Sequence, residues 1–105
     1  MKFIYITCNV SMLETISDLL DELKFTDYQV TEQVTAKSSY ASPRLNTAIW
    51  PGYNSSIAIQ ETDNEKVSLL KDTIDQMNSS AFNNEELIAL YTWSIDAFTE
   101  VKKVE

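Results

Sequence analysis

The residues that bend a polypeptide chain are concentrated in one stretch of this protein, residues 33–60. Both prolines, Pro43 and Pro51, and the only glycine, Gly52, lie within it. The segments on either side contain neither residue type and show helix-like and strand-like patterns. Because glycine and proline mark turns and loops, we expect regular elements before and after this stretch and a long irregular connection within it.

Four segments have the apolar pattern of a strand. Residues 2–8 are apolar on both parities, which is typical of a central strand buried on two faces. Residues 28–36 alternate and predict a half-buried strand, and residues 56–60 and 87–95 predict the third and fourth strands. Glu32 falls on the apolar parity of the second strand. It marks a strand end, a bulge or a face that meets another subunit.

Two amphipathic helices are predicted between these strands. Each begins at a sequence typical of a capping box, Ser11 with Glu14 and Thr62 with Glu65. The apolar positions at helical spacing are Met12, Ile16, Leu19, Leu20 and Leu23 in the first helix, and Val67, Leu70, Ile74 and Met77 in the second. Residues 47–50 are compatible with a further short strand, which would run into a turn at residues 50–54.

The order strand, helix, strand, strand, helix, strand predicts a ferredoxin-like βαββαβ fold of the α+β class in a single domain, residues 1–105. It has a four-stranded antiparallel sheet with two helices on one face and a long loop between strands two and three. The other sheet face has no predicted helix to cover it, yet the first and last strands are apolar on both parities. Self-association through that face is therefore predicted.

Composition excludes several classes of function. Sixteen acidic residues against eight basic ones give a net charge of −8, which argues against binding nucleic acid or an anionic membrane surface. No apolar run is long enough for membrane insertion. The chain has no histidine, so the commonest general base and metal ligand are absent, and we predict neither a catalytic nor a metal site. A single cysteine, Cys8, suits a reducing cytoplasm, and we expect it to be a buried small hydrophobe rather than a metal ligand or redox sensor.

The stretch 33–60 is also the candidate binding region, because it contains no Asp or Glu and holds the only arginine. Lys37 and Arg44 are either solvated loop cations or the ligands of an anionic effector or acidic partner. The aromatic side chains of Trp50, Tyr53 and Trp93 either stack on a planar ligand or pack in the core or an interface. Together with Asn54 at the end of the turn, these six residues are the predicted ligand-binding set. No cofactor is identified.

A second carboxylate group lies at the start of the second helix. Glu61, Asp63 and Glu65 either hold a divalent cation or cap the helix, and the helix dipole favours capping.

Several motifs resemble the PII-like signalling superfamily. They are the turn into strand two (Phe25, Thr26, Tyr28, Val30), the long loop that follows it, and the run Trp-Pro-Gly-Tyr-Asn-Ser at residues 50–55. The resemblance implies a homotrimer packed through the open sheet faces, with small-molecule sites in clefts between subunits. It also implies that the loop of residues 37–54 reaches a target protein such as a transporter or enzyme. The missing histidine predicts that the chain is not itself an enzyme.

The chain resembles a short, divergent member without the usual ATP-binding loops. Nitrogen-regulatory PII proteins carry Gly-Asp-Gly-Lys before the last strand and Arg-Thr-Gly after it. Residues 83–86 here are Asn-Asn-Glu-Glu and residues 94–96 are Ser-Ile-Asp, and neither offers glycine amides plus a cation to a triphosphate. Two alternatives are a CutA-like divalent-cation trimer with the same fold and a protein-interaction module that binds no ligand.

Overall fold

The computed structural model describes residues 1–104, which form one four-stranded antiparallel sheet and two α-helices. The strands are β1 (Lys2–Asn9), β2 (Tyr28–Val34), β3 (Asn54–Glu61) and β4 (Ala89–Ser94), and the helices are α1 (Leu13–Glu22) and α2 (Asn64–Ser79). The strand order is β2-β3-β1-β4. This arrangement confirms the ferredoxin-like fold and the central place of the first strand.

The core lies between one face of the sheet and the two helices. Side chains of β1 and β3 that point to this face are fully buried, and the centres of the apolar helix stripes are buried against them. Alternate strand residues and every third or fourth helix residue meet in this layer. The core comprises Ile4, Ile6, Cys8, Ile57 and Ile59 from the sheet, Ile16 and Leu20 from α1, Val67, Leu70 and Ile74 from α2, and Phe25 and Ile88 from the connections. The buried position predicted for Cys8 is confirmed.

The opposite face of the sheet carries aromatic side chains and is covered by neither α1 nor α2. We call this surface, formed by Phe3, Tyr5, Tyr91 and Trp93, the open face. Antiparallel pairing sets Phe3 opposite Trp93 and Tyr5 opposite Tyr91. The ring centroids of Phe3 and Trp93 are 4.7 Å apart, and the exposed fractions of Tyr91 and Trp93 are 56% and 49%.

The first helix does not begin at the predicted capping box of Ser11 and Glu14. The Asn9 Oδ1 atom accepts a hydrogen bond from the Ser11 N–H at 3.2 Å, and a 3-10 turn (Val10–Met12) precedes α1. Met12 takes the N-cap position without a side-chain hydrogen bond. The capping prediction is wrong because an asparagine two residues earlier already turns the chain.

The second helix is capped one residue later than predicted. Asp63, not Thr62, is the N-cap, and its Oδ1 accepts from the N–H groups of Glu65 and Lys66 at 3.0 and 3.3 Å. Glu61 contributes too, since its Oε2 accepts from the Thr62 and Asp63 N–H groups at 3.0 Å. These carboxylates therefore satisfy the backbone at the helix start, as the capping interpretation predicts.

β2 lies at the edge of the sheet and is more exposed than the half-buried strand predicted. Its register with β3 shifts between Thr31 and Val34, and the Glu32 carbonyl accepts a hydrogen bond from the Ser55 hydroxyl at 2.6 Å. Of the three interpretations of Glu32, the structure supports the bulge.

The loop between β2 and β3, residues 35–53, is long, as predicted, and is closed at its base. Ala36 and Arg44 exchange backbone hydrogen bonds of 2.9 Å in both directions. Residues 47–50 are bends rather than the short strand considered from the sequence. Gly52 has a φ of +89°, which fits the third position of the predicted turn and which residues with a Cβ rarely adopt.

Within residues 1–104, neither helix is long and apolar enough to cross a bilayer.

Candidate anion-binding site

Arg44 is a buried cation at the base of the loop. Its side chain is only 6% exposed, and its backbone is fixed by the pairing with Ala36. The Nη1 atom donates to Asn54 Oδ1 at 2.6 Å, and the Nη2 atom donates to Glu85 Oε2 at 2.8 Å. Of the two interpretations of Arg44, that of a solvated loop cation is therefore wrong, because the guanidinium is buried and a carboxylate from another part of the chain reaches it.

Asn54 orients the guanidinium from the sheet. It is the first residue of β3 and pairs with Asn9, the last residue of β1. Its buried amide accepts from Arg44 through Oδ1 and donates through Nδ2 to the Thr7 hydroxyl at 2.9 Å. The arginine is thus held by two central strands, which fixes one side of its charged group.

Glu85 supplies the counter-charge from the connection between α2 and β4. It lies in a 3-10 turn (Asn84–Glu86) that is closed by a capping box between Asn83 and Glu86. Its Oε1 accepts from the Ser42 N–H at 3.4 Å, so the carboxylate contacts both the arginine and the loop backbone. The hydrogen bond from Arg44 holds the pKa of Glu85 below its ordinary value, with partial desolvation opposing it.

One buried nitrogen of Arg44 has no acceptor among residues 1–104. The Nε atom is buried and makes no hydrogen bond within that part of the chain. A guanidinium has five N–H donors in a planar fork that matches a carboxylate or phosphate. A buried donor without an acceptor is unfavourable, so an oxygen supplied from outside the chain would stabilise this group.

A pocket of about 300 Å³ opens beside the arginine. The residues that line it together with Arg44 include Asn9, Ser42, Trp50 and Glu85. This volume is at the lower end of the range for small-molecule sites. The arrangement combines a fixed cation, the backbone donor of Ser42 and one tryptophan, and it suits a small anion.

The structure brings together only part of the predicted ligand-binding set. Arg44 and Trp50 line the pocket, and Asn54 holds the arginine. Tyr53 directly precedes Asn54 in the chain, and its backbone carbonyl accepts a hydrogen bond from the Val10 N–H at 3.1 Å. Lys37 is exposed and does not line the pocket.

Trp93 lies elsewhere within the chain. It pairs with Phe3 near the start of β1, whereas the arginine lies near Asn9 at the end of that strand. Its ring packs against that of Phe3. This agrees with the interpretation in which the aromatic side chains pack rather than stack on a planar ligand.

Glu85 is the residue of this candidate site that sequence reasoning misses. From the sequence alone, residues 83–86 are a polar connection that lacks glycine and lysine. The predicted fold does contain a signal, because the start of β3, the end of β1 and the start of β4 meet at one edge of a βαββαβ sheet. A lone arginine before β3 and a carboxylate before β4 therefore lie close together.

The divalent-cation alternative gains no support from the arrangement of ligands. Within residues 1–104 there is no group of three or more Cys, Asp and Glu side chains that could hold a metal ion.

Comparison by sequence finds no relatives. No protein-family model matches the chain, and no curated protein is significantly similar to it.

Comparison by structure finds PII-like proteins. CPII from Thiomonas intermedia K12, a nitrogen regulatory PII-like protein bound to ADP, AMP and bicarbonate, superposes with a TM-score of 0.66 at 16% identity, covering 95% of this chain and 94% of CPII. CPII bound to ADP and bicarbonate gives a TM-score of 0.64 at 14% identity, covering 91% and 88%. A PII-like signalling protein from Thermus thermophilus gives 0.56 at 14% identity, covering 88% and 83%. At these identities the likeness establishes that the chain has the PII-like fold, as the sequence resemblance implied.

Proposed function

We propose that this protein is a PII-like regulatory protein that binds a small anionic effector beside Arg44 and acts on a target protein through residues 37–54. The observation that carries the proposal is the buried guanidinium, whose Nε–H has no acceptor within residues 1–104 although the residue lines a pocket. A regulatory role is favoured over catalysis because the chain has no histidine and its sole cysteine is buried in the core.

The effector is a planar, carboxylate-type anion. The donors at the site, Arg44 Nη2 and the Ser42 N–H, already bind the two oxygens of one carboxylate, that of Glu85. Guanidinium favours such planar anions because two parallel N–H groups match two oxygens. CPII, which shares the fold, has been observed with bicarbonate. Bicarbonate is therefore the first probe for this pocket.

The protein assembles as a homotrimer through the open face. The support for this part of the proposal is the exposure of Tyr91 and Trp93, which a free chain would leave half in water. Contiguous exposed aromatic surface of this kind is typical of interaction sites. The resemblance to PII-like proteins implies that the effector pockets lie in clefts between the chains of such a trimer.

The loop carries the signal to the target. Its outer part exposes apolar side chains, with Ile49 at 77% and Trp50 at 42% exposure. The pocket lies at the base of the same loop and shares Trp50 with it. A ligand at Arg44 and a partner at the loop would therefore influence each other's affinity.

The test uses the fact that Arg44 is the only arginine, so the protein has one arginine Nε–H cross-peak in a ¹H–¹⁵N spectrum. Bicarbonate is titrated at fixed pH and ionic strength, with chloride as the balancing anion. We expect the cross-peak to shift saturably, and Arg44→Gln to weaken bicarbonate binding at least about tenfold by calorimetry, since hydrogen bonds to charged groups contribute about 1.5–3 kcal/mol.

The matched control is Lys37→Gln, which removes the other cation of the loop. We expect its affinity to stay within about twofold of the wild type, because exposed, unpaired charges contribute little. Circular dichroism checks that each variant folds. An unmoved Nε–H cross-peak, or equal binding by Arg44→Gln, would refute the proposed site.

A module that binds its partner without any ligand is the second candidate, and the exposed apolar side chains of Ile49 and Trp50 favour it. It predicts that extensively dialysed protein captures the same partner as protein supplied with bicarbonate. A partner that is captured only in the presence of the anion would exclude this candidate.

A further inference from the structure

We infer that Glu85 is a built-in competitor of the effector: its carboxylate occupies the anion site in the ligand-free protein, and effector binding displaces it. This inference rests on the proposed anion site beside Arg44. It adds a regulatory contact within the chain, because displacement also breaks the bonds of the Glu85 carboxylate to Arg44 and Ser42 of the loop.

The two partners of the ion pair are held very differently. The side chain of Arg44 is 6% exposed, whereas that of Glu85 is 47% exposed. Arg44 is also held by its hydrogen bond to Asn54 and its backbone pairing with Ala36, neither of which involves Glu85. The cation is therefore a fixed part of the site, and the carboxylate is the partner that can leave.

The carboxylate of Glu85 is already half in water, so it regains its hydration easily when it leaves. The buried guanidinium of Arg44 needs a replacement acceptor, and the incoming anion supplies it. The side-chain contacts of this carboxylate within residues 1–104 are those with Arg44 and Ser42. A free anion that binds the same donors replaces these contacts one for one.

Glu85 leaves the buried Nε of Arg44 without a hydrogen bond in the described part of the chain. The carboxylate of Glu85 is bonded to Arg44 through Nη2, and the Nε–H remains without an acceptor within residues 1–104. Because Glu85 is part of the 3-10 turn, its carboxylate oxygens can reach only a limited set of positions beside Arg44. An untethered carboxylate is free to choose a position that satisfies Nε as well, which favours exchange.

Displacement has a defined structural consequence. The 3-10 turn that carries Glu85 is closed by the side chains of Asn83 and Glu86, so it does not depend on the contact with Arg44. The Ser42 N–H, by contrast, is bonded across to Glu85 from the loop. Exchange therefore transfers Ser42 from a protein carboxylate to the effector, and the hydrogen bond from Arg44 Nη2 to the Glu85 carbonyl, at 3.5 Å, is the contact between the loop and the turn that does not depend on the carboxylate.

Linkage then predicts how Glu85 affects affinity. Whatever stabilises the closed contact between Glu85 and Arg44 lowers the apparent affinity for the anion, because only the open form binds it. Removing the charge of Glu85 favours the open form without touching the arginine.

The experiment compares Glu85→Gln with the wild type in a bicarbonate titration at fixed pH and ionic strength. Glu22→Gln is the matched control, because it makes the same change in net charge at an exposed position on α1. We expect Glu85→Gln to bind bicarbonate about fivefold more tightly, the equivalent of losing one half-exposed ion pair, and Glu22→Gln to bind like the wild type. The Ser42 amide cross-peak of the wild type should move toward its position in Glu85→Gln as bicarbonate is added.

The outcomes separate this inference from the proposed function. Equal or weaker binding by Glu85→Gln, with the wild type binding bicarbonate at Arg44, would overturn the competitor role and leave the anion site standing. Absence of binding in the wild type, Glu85→Gln and Glu22→Gln alike would overturn both. Binding by Glu85→Gln alone would support both, because the wild type would then be held closed by its own carboxylate.

Discussion

The ionisation of Cys8, in the middle layer formed by β1 and the helices, is controlled by its buried surroundings. Cys8 is fully buried in the core between the sheet and the helices. Desolvation raises the pKa of its thiol from 9.0 to about 11, while the nearby charge of Arg44 opposes the rise. The neutral thiol is therefore the form that the folded protein favours.

This shift predicts a loss of stability in alkaline solution. A group whose folded pKa is raised stabilises the fold fully below its unfolded pKa, and that contribution is lost as the pH rises from about 9 toward about 11. We expect the wild type to lose about 1 kcal/mol more than Cys8→Ala between about pH 7 and about pH 10. Urea unfolding at both pH values measures this difference. Identical pH dependence in the two proteins would contradict the prediction, because tyrosines and lysines titrate equally in both.

Among the elements, α2 shows that one side chain decides where a helix starts. Asp63 and Glu61 between them satisfy four backbone N–H groups around the helix N-terminus. Such groups have no partner within the helix itself. The carboxylates of Asp63 and Glu61 also lie at the positive end of the helix dipole, which adds to the stabilisation.

We therefore expect Asp63→Ala to lower the free energy of unfolding by about 1 kcal/mol, the usual value of an N-cap. Thr62→Ala is the matched control, since it alters the neighbouring residue that the sequence suggests as the cap. Chemical denaturation at neutral pH measures both variants. A larger loss from Thr62→Ala would show that the helix starts one residue earlier in solution.

At the scale of the whole molecule, the sheet has one face that is packed and one that is open. The helices bury aliphatic side chains on the first, and Phe3, Tyr5, Tyr91 and Trp93 lie on the second. Burying one such ring on association is worth about 1.5–3 kcal/mol. Three copies of the open face could therefore hold an assembly together without further specialised contacts.

Tyr91→Glu tests this assembly. We expect the wild type to elute as a trimer in size-exclusion chromatography with light scattering, and Tyr91→Glu to shift toward the monomer because a buried charge is costly. Leu69→Glu is matched in exposure, 50% against 56% for Tyr91, but lies on α2 and should leave the trimer intact. A monomeric wild type at high concentration would contradict the proposed assembly.

The features that the sequence predicts correctly depend on local periodicity. Ile4 and Ile6 alternate with Phe3 and Tyr5, and Leu70 and Ile74 recur at helical spacing, so element type and core can be inferred without tertiary information. Cap positions are displaced because neighbouring polar residues, such as Thr62 and Asp63, are both good N-caps.

The site can be predicted only in part because its decisive contact is long-range. The stretch 33–60 has no acidic residue, and this composition suggests a free guanidinium at Arg44. The carboxylate that pairs with Arg44 belongs to Glu85, which lies 41 positions further along the chain. Only the sheet topology brings the two segments together, so the local sequence identifies the cation but not its counter-charge.

The positions of the two tryptophans have a practical consequence. Trp50 lines the pocket beside Arg44, and Trp93 packs against Phe3 on the open face. One indole chromophore is thus placed where an effector would enter, and the other where a second chain would cover the sheet. The protein carries two intrinsic optical reporters, one for each of the events proposed for it, and a Phe substitution at either position leaves the other reporter to be recorded alone.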